Sequence, residues 1–347
     1  MTAESDRPGG AGGAMSPEVR AAPESGVAVR TRPRPMFGAG GTRNTKLGYL
    51  AATAAAVVSG VSIYVNAVTV RMFPDAVLYT AVKNGMVGLV LLVPLAFWPV
   101  QRVAYRRLDR RTTLWLIAIA LTGGSIPFAL NFTGLRLTTA ATGAVLNHLQ
   151  FVFVAIFAAI FLRERIRPVL WVAFAVLLLG TLLGTNLHAL NWNGGALLIL
   201  ISSVFFAADF VIGKYLLRGL PTLIVMTARM SLGSLLLFIY VAAVGHLGGI
   251  LHLAALQWKL AMLTGFLLLL FTVTTFTAIR HASVSTVLAI GAASPIITTL
   301  LQVGMERRLA VTPIDLAGLV LIVAAAVTVL VFGVRQDAAW QRMQVQS

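Results

Sequence analysis

Long apolar runs separated by short polar breaks dominate the chain. Ten can be marked, at about 46–69, 75–100, 113–132, 137–161, 169–187, 194–215, 221–244, 257–279, 283–304 and 313–334. Most hold about 20 residues or slightly more, enough for a tilted helix to cross the ~30 Å hydrocarbon core of a bilayer. The runs are apolar throughout, whereas barrel strands alternate over about 10 residues. The pattern predicts an all-α integral membrane protein with ten transmembrane helices. Its breaks are too short for a soluble catalytic domain.

One stretch occurs twice. Phe132-Thr-Gly-Leu-Arg136-Leu-Thr-Thr-Ala-Ala-Thr142 returns as Phe276-Thr-Ala-Ile-Arg280-His-Ala-Ser-Val-Ser-Thr286, at a constant offset of 144. Each copy leads into an apolar run. Two repeats of five runs each are therefore expected, at 46–190 and 191–335, flanked by tails at 1–45 and 336–347. Because five is odd, the second repeat enters the membrane from the opposite side. Inverted repeats place a site near the midplane between the halves and suit alternating access.

Composition agrees with the pattern. Hydrophobic residues make up 58% of the chain and charged residues 11%, against roughly 25% charged in soluble domains. Mean hydropathy is +0.89. A net charge of +16 would point to nucleic acid in a soluble protein, but in a membrane protein Lys and Arg gather on the cytoplasmic side. With the amino terminus inside, 20 of the 27 basic residues fall on the cytoplasmic side and five opposite, leaving Lys83 and Arg229 within spans. The expectation is a multi-pass protein of the cytoplasmic (inner or plasma) membrane, with both termini cytoplasmic and no nucleic-acid partner. Residues 1–45, rich in Gly, Pro, Ala and Arg, read as a disordered basic tail without the apolar core of a signal peptide.

The turns carry a family resemblance. Leu162-Arg163-Glu164-Arg165-Ile166 is followed sixteen residues beyond Glu164 by Gly180, and Ser294-Pro295 stands in the ninth run. Pro74 precedes Lys83 and Pro221 precedes Arg229. With ten runs in two halves, these features resemble the drug/metabolite transporter superfamily in its ten-helix form with two EamA-type repeats, over about residues 47–334. The sequence departs from that pattern at Phe151, where the family often has Pro, and at the second turn, where Glu306 lies two positions early and Arg308 takes the place of Glu. The resemblance implies a carrier that moves small metabolites across a cytoplasmic membrane, often outward and without ATP. No Walker-type sequence occurs, in keeping with a secondary carrier.

Polar groups deep in a bilayer are costly and mark cavities or helix contacts. Asn147, His148 and Gln150 sit near the middle of the fourth run, either lining a substrate path or bonding between helices. The equivalent part of the ninth run, Gly291, Ala292 and Ser294 before Pro295, is small enough to leave room for a ligand, or to pack closely. Lys83 and Arg229 either line the cavity or snorkel to the interface. Asn66 and Asn84 add polarity to the first two runs. Asp209 is the carboxylate placed within a span and the candidate coupling group; it pairs with Lys214 or Arg229, or takes a proton. Glu164 reads as a turn and helix-end group bridged to Arg163 or Arg167. His246 and His252 share one loop without acidic company and read as solvent-facing.

With no cysteine, disulfides and thiolate chemistry are excluded. Metalloprotease and hydrolase motifs are absent from the sequence, so neither an enzyme nor a cofactor is expected. The function expected is secondary export of a small polar metabolite. A flippase for a lipid-linked substrate, a non-transporting scaffold and an intramembrane enzyme are the alternatives. The partners expected are a small-molecule substrate and the lipid bilayer, with homodimerisation left open.

Overall fold

The computed structural model describes residues 44–97, 108–164, 166–183 and 192–305, and within 313–332 all but 315, 319, 329 and 330. The expectations for the two tails and for the turn bearing Glu306 and Arg308 lie outside the described residues. Those residues form helices α1 (Thr45–Thr69), α2 (Ala76–Phe97), α3 (Arg110–Leu137), α4 (Ala140–Phe161), α5 (Pro168–Leu183), α6 (Gly194–Leu217), α7 (Thr222–Ala243), α8 (Ala255–His281), α9 (Val284–Gly291 and Ser294–Met305) and α10 (Leu316–Thr328). No strand occurs among them.

Among the described residues, six helices are long and apolar enough to cross a membrane: α1, α2, α3, α6, α7 and α8. Of the ten transmembrane helices expected, the other four are shorter or interrupted among the described residues. α5 has 16 of them and ends where the description ends. α9 is broken into pieces of 8 and 12 residues at Ala292–Ala293. The break has a cause in Pro295, which has no N–H for the helical ladder and crowds the preceding turn.

Short polar side chains start the helices by accepting an exposed backbone N–H, as N-caps do. Asn44 takes Leu47 N, Asp109 takes Thr112 N and Asn193 takes Ala196 N. The repeated stretch ends in two such caps of the same form. Thr139 accepts Thr142 N at 3.2 Å to open α4, and Ser283 accepts Thr286 N at 3.2 Å to open α9. Its two arginines also act alike. Arg136 Nη1 donates to the Pro74 carbonyl at 2.8 Å, and Arg280 Nη1 to the Leu220 carbonyl at 2.9 Å. Each ties the end of its helix to the loop before the second helix of its own half.

Packing between the halves is reciprocal. α1 lies against α8 and both pieces of α9, α6 lies against α3 and α4, and α2 faces α7. The main apolar core joins these helices through residues such as Leu78, Ile119, Ile224 and Met230. A second core gathers Ala155, Leu170, Phe174, Leu177, Ala292 and Ile322 from α4, α5, α9 and α10. Gly180 belongs to that contact, since a Cβ there would meet backbone of α10 at 2.9 Å. Outward positions are apolar too, with Leu50 70% and Phe97 80% exposed. A helix apolar all round needs either a protein core or lipid around it, and these faces are exposed among the described residues.

α3 and α7 each widen into one π-turn, at Ala120–Ser125 and Ala228–Leu232, and the two turns lie against each other. The approach depends on glycine: a Cβ on Gly124 would overlap the Arg229 carbonyl, and one on Gly123 the Asp209 carboxylate. π-turns inside helices often occur at functional sites.

Candidate functional site

The buried charges converge where α1, α2, α3, α6, α7 and α8 meet. Arg229 and Asp209 form a bidentate pair: Nε reaches both carboxylate oxygens at 3.0 Å and Nη2 reaches Oδ2 at 2.8 Å. Arg229 is 3% exposed and Asp209 2%. Of the two partners the sequence offered Asp209, Arg229 is the one it meets; Lys214 donates instead to the carbonyls of Ile279 and Ala282 at the end of α8. The guanidinium also lies 5.5 Å from the Phe276 ring and 5.8 Å from the Phe128 ring, within cation–π range.

Lys83 occupies the matching place in the first half, and at 1% exposure it does not snorkel. Its Nζ donates to Asn66 Oδ1 at 2.9 Å and lies 4.1 Å from the Phe132 ring, 4.9 Å from Tyr79 and 5.5 Å from Phe128. Asn66 Oδ1 accepts the Tyr79 hydroxyl as well, and its amide donates to the Ser62 carbonyl and hydroxyl. No carboxylate pairs with Lys83 among the described residues. The two assemblies share one plan: an acceptor from the first helix of the half, a cation from the second and a phenylalanine from the third. Phe132 and Phe276 are the residues that open the repeated stretch. Phe128 faces both cations.

The other sequence candidates lie elsewhere. Asn84 donates to the Gly124 carbonyl at 3.1 Å, and its own carbonyl oxygen has no partner among the described residues. Asn147 accepts from Asn131, whose amide also reaches Ser202, so it joins α3, α4 and α6. His148 Nδ1 lies 3.0 Å from the Thr181 hydroxyl of α5. Gln150 is half-buried. Gly291 lies beside Phe151, Ala292 is enclosed in the second core, and Ser294 is buried. The hydrogen bonds of Asn84, Asn147 and His148 reach none of Lys83, Asp209 and Arg229.

Glu164 acts at a helix end, but across the repeats. Its carboxylate accepts Val284 N and Ser285 N at 3.1 and 3.0 Å and the Ser285 hydroxyl at 2.7 Å, where the N-terminal dipole of α9 favours an anion. His246 does have acidic company, contrary to the sequence reading: although exposed, its Nδ1 lies 2.5 Å from Asp75 Oδ2. Burial pushes the Asp75 carboxyl up, but His246 and the Val77 and Leu78 amides outweigh it, and the carboxyl sits below its ordinary value.

A small cavity adjoins the Asp209–Arg229 pair, lined also by Thr272, Thr275, Phe271 and Phe276. The two threonines were not among the sequence candidates, because threonine in an apolar helix is common and usually silent. The available signal was their spacing of three residues, on the α8 face that carries Phe276.

A family model described as EamA-like transporter family matches residues 46–185 and again 193–331. No curated protein matches the chain. A solved structure titled "Crystal structure of protein" is similar over 85% of this chain and 100% of its own length, with a TM-score of 0.66 and 18% identity. That likeness is one of fold.

Proposed function

The chain belongs to the EamA-like transporter family of membrane transporters, and from that premise we propose that it is a secondary exporter of a small polar metabolite. It works by alternating access of two inverted five-helix halves in the cytoplasmic membrane, with both termini cytoplasmic and ten crossings in all. The observation that carries this reading is the buried charged centre around Phe128, where Lys83 and the Asp209–Arg229 pair lie between the halves. Ionised groups held away from water cost several kcal/mol each even after relaxation, and hydrophobic residues of similar volume would pack the same helices without that cost. Charged groups inside membrane helices accordingly mark substrate and ion paths. Reciprocal packing of α1 on α8 and α9 and of α6 on α3 and α4 sets equivalent helices of the two halves about this centre, which supports a mechanism in which they exchange places between two states. Asp209 is the coupling group of the proposal, since a proton on it would release Arg229.

Metabolite profiling of cells with and without the protein, followed by efflux from proteoliposomes, tests the reading. A polar metabolite should build up outside expressing cells and leave loaded vesicles. If no solute in a cell extract leaves vesicles containing the protein faster than it leaves empty ones, the transport reading is wrong.

A further inference from the structure

We infer that the cavity beside Arg229 is a carboxylate subsite, in which Arg229 Nη1 and the hydroxyls of Thr272 and Thr275 bind an anionic oxygen of the transported molecule. The inference rests on the transporter reading and names the chemical class of its substrate.

The threonines supply the first observation. Within an apolar helix a Thr hydroxyl normally returns to the carbonyl one turn back. In α8, Thr264 does so to Leu260 at 2.8 Å and Thr274 to Leu270 at 2.7 Å. Thr272 and Thr275 do not. They are 1% and 4% exposed, and their hydroxyls have no hydrogen-bond partner among the described residues. A buried unmade hydrogen bond is unfavourable, and a native exception calls for an explanation. Both residues line the cavity, so a ligand that enters as its walls move would give the hydroxyls an acceptor.

Arg229 supplies the second. Nε and Nη2 are committed to Asp209, while Nη1 has the Met230 sulfur at 3.1 Å and no oxygen among the described residues. A thioether is a weak acceptor. Arg229, Thr272 and Thr275 line a space the size of about one water, and Nη1 and the two hydroxyls are three donors there with no oxygen partner among the described residues. That space holds one oxygen atom, not a whole metabolite, so the rest of a ligand enters only as the surrounding rings move. Three donors favour an acceptor-only group, and a carboxylate oxygen is one.

Charge decides between a neutral carbonyl and an anion. The groups facing Phe128 are Lys83, Arg229 and, through Arg229, Asp209. As ions they sum to one positive charge, because the acceptor beside Lys83 is the neutral Asn66. One monoanion balances the centre, and a neutral ligand leaves the excess in place. Phe271 and Phe276 line the remaining wall, which suits a monocarboxylate with an apolar body.

The test is equilibrium binding of acetate and benzoate to the purified full-length protein, each paired with its neutral amide, acetamide and benzamide. At least one acid should bind more than tenfold tighter than its amide. Thr272→Val and Thr275→Val together should weaken that acid roughly tenfold or more, as the loss of hydrogen bonds to a charged group does. The ligand-free double variant should melt no lower than the parent, because each change removes an unpaired buried hydroxyl. Equal binding of acids and amides, binding of neither, or an undiminished affinity in the double variant would overturn the subsite. Threonine-dependent binding without flux would sink the transporter reading and leave the subsite standing; flux that ignores carboxylates would do the reverse.

Discussion

The two halves build the same assembly from different chemistry. In the first, Asn66 holds Lys83 over Phe132; in the second, Asp209 holds Arg229 beside Phe276. The second pair is closed, since a carboxylate and a guanidinium satisfy each other in bidentate form. The first leaves its cation held by a neutral amide and three rings. A chain assembled for stability alone has no use for that difference, because an apolar pair would serve at lower desolvation cost. A site that must accept and release a charged molecule does: a protonated Lys83 has no carboxylate to balance it among the described residues, so an anion that reaches the donors at Arg229 also meets a standing excess of positive charge.

Removing the acceptors in turn separates the halves most strongly. Asp209→Ala strands Arg229 in an apolar surrounding and is expected to cost about 3–5 kcal/mol. Asn66→Ala leaves a lysine and a tyrosine hydroxyl short of an acceptor, and is expected to cost about 1–3 kcal/mol. Melting in detergent gives the ranking, and equal losses would mean that the two centres do not differ as described. Asn66→Asp makes the first half resemble the second by creating an ion pair with Lys83. Efflux should fall at least tenfold, a barrier increase of about 1.4 kcal/mol or more, with the melting temperature kept. Undiminished efflux in that variant would show that the standing charge has no role.

A smaller effect probes what the halves share. Arg136→Gln and Arg280→Gln each remove a charge-assisted bond to a loop carbonyl and are expected to cost about 1 kcal/mol apiece. A difference above about 2 kcal/mol between them in melting experiments would show that the repeated arginines are not equivalent. The smallest effect lies outside the membrane. Asp75 has a carboxyl held below its ordinary value in the folded protein, so its contribution is present above the unfolded pKa of about 3.9 and is lost as pH falls through the folded value. Acidification below about pH 4 should destabilise the wild type slightly more than Asp75→Asn. Parallel pH curves for the two proteins would show that the His246 contact contributes nothing.

Much of the fold was legible because it rests on composition and periodicity. Apolar length marks the helices, and the match of Phe132 through Thr142 with Phe276 through Thr286 corresponds to real equivalences in caps, arginine anchors and ring positions. The ninth run is unbroken in hydropathy, and Pro295, three residues beyond Ala292, is the signal of the break in α9. The site was less legible. Lys83 and Arg229 were visible as charges in apolar runs, but their partners lie 17 and 20 residues away on neighbouring helices, and such pairing depends on helix rotation that hydropathy does not encode. The π-turns, which set the Arg229 carbonyl against Gly124 while the Asp209 carboxylate lies against Gly123, have no sequence signature of their own. Asn147 looked like a midplane ligand because depth can be read from a run, whereas its bond to Asn131 depends on which face of α4 meets α3.

The most direct test of the central claim is efflux through Lys83→Gln in proteoliposomes. Glutamine can still donate to Asn66 and keeps most of the side chain's bulk, so the variant should insert and melt like the wild type while losing the standing charge. Wild-type and variant vesicles loaded with the same metabolite extract would be compared by mass spectrometry of what leaves. A solute released by the wild type and retained at least tenfold more by the variant is the result predicted, corresponding to about 1.4 kcal/mol in the barrier. Equal release from both would place the transport path away from Lys83 and contradict the account.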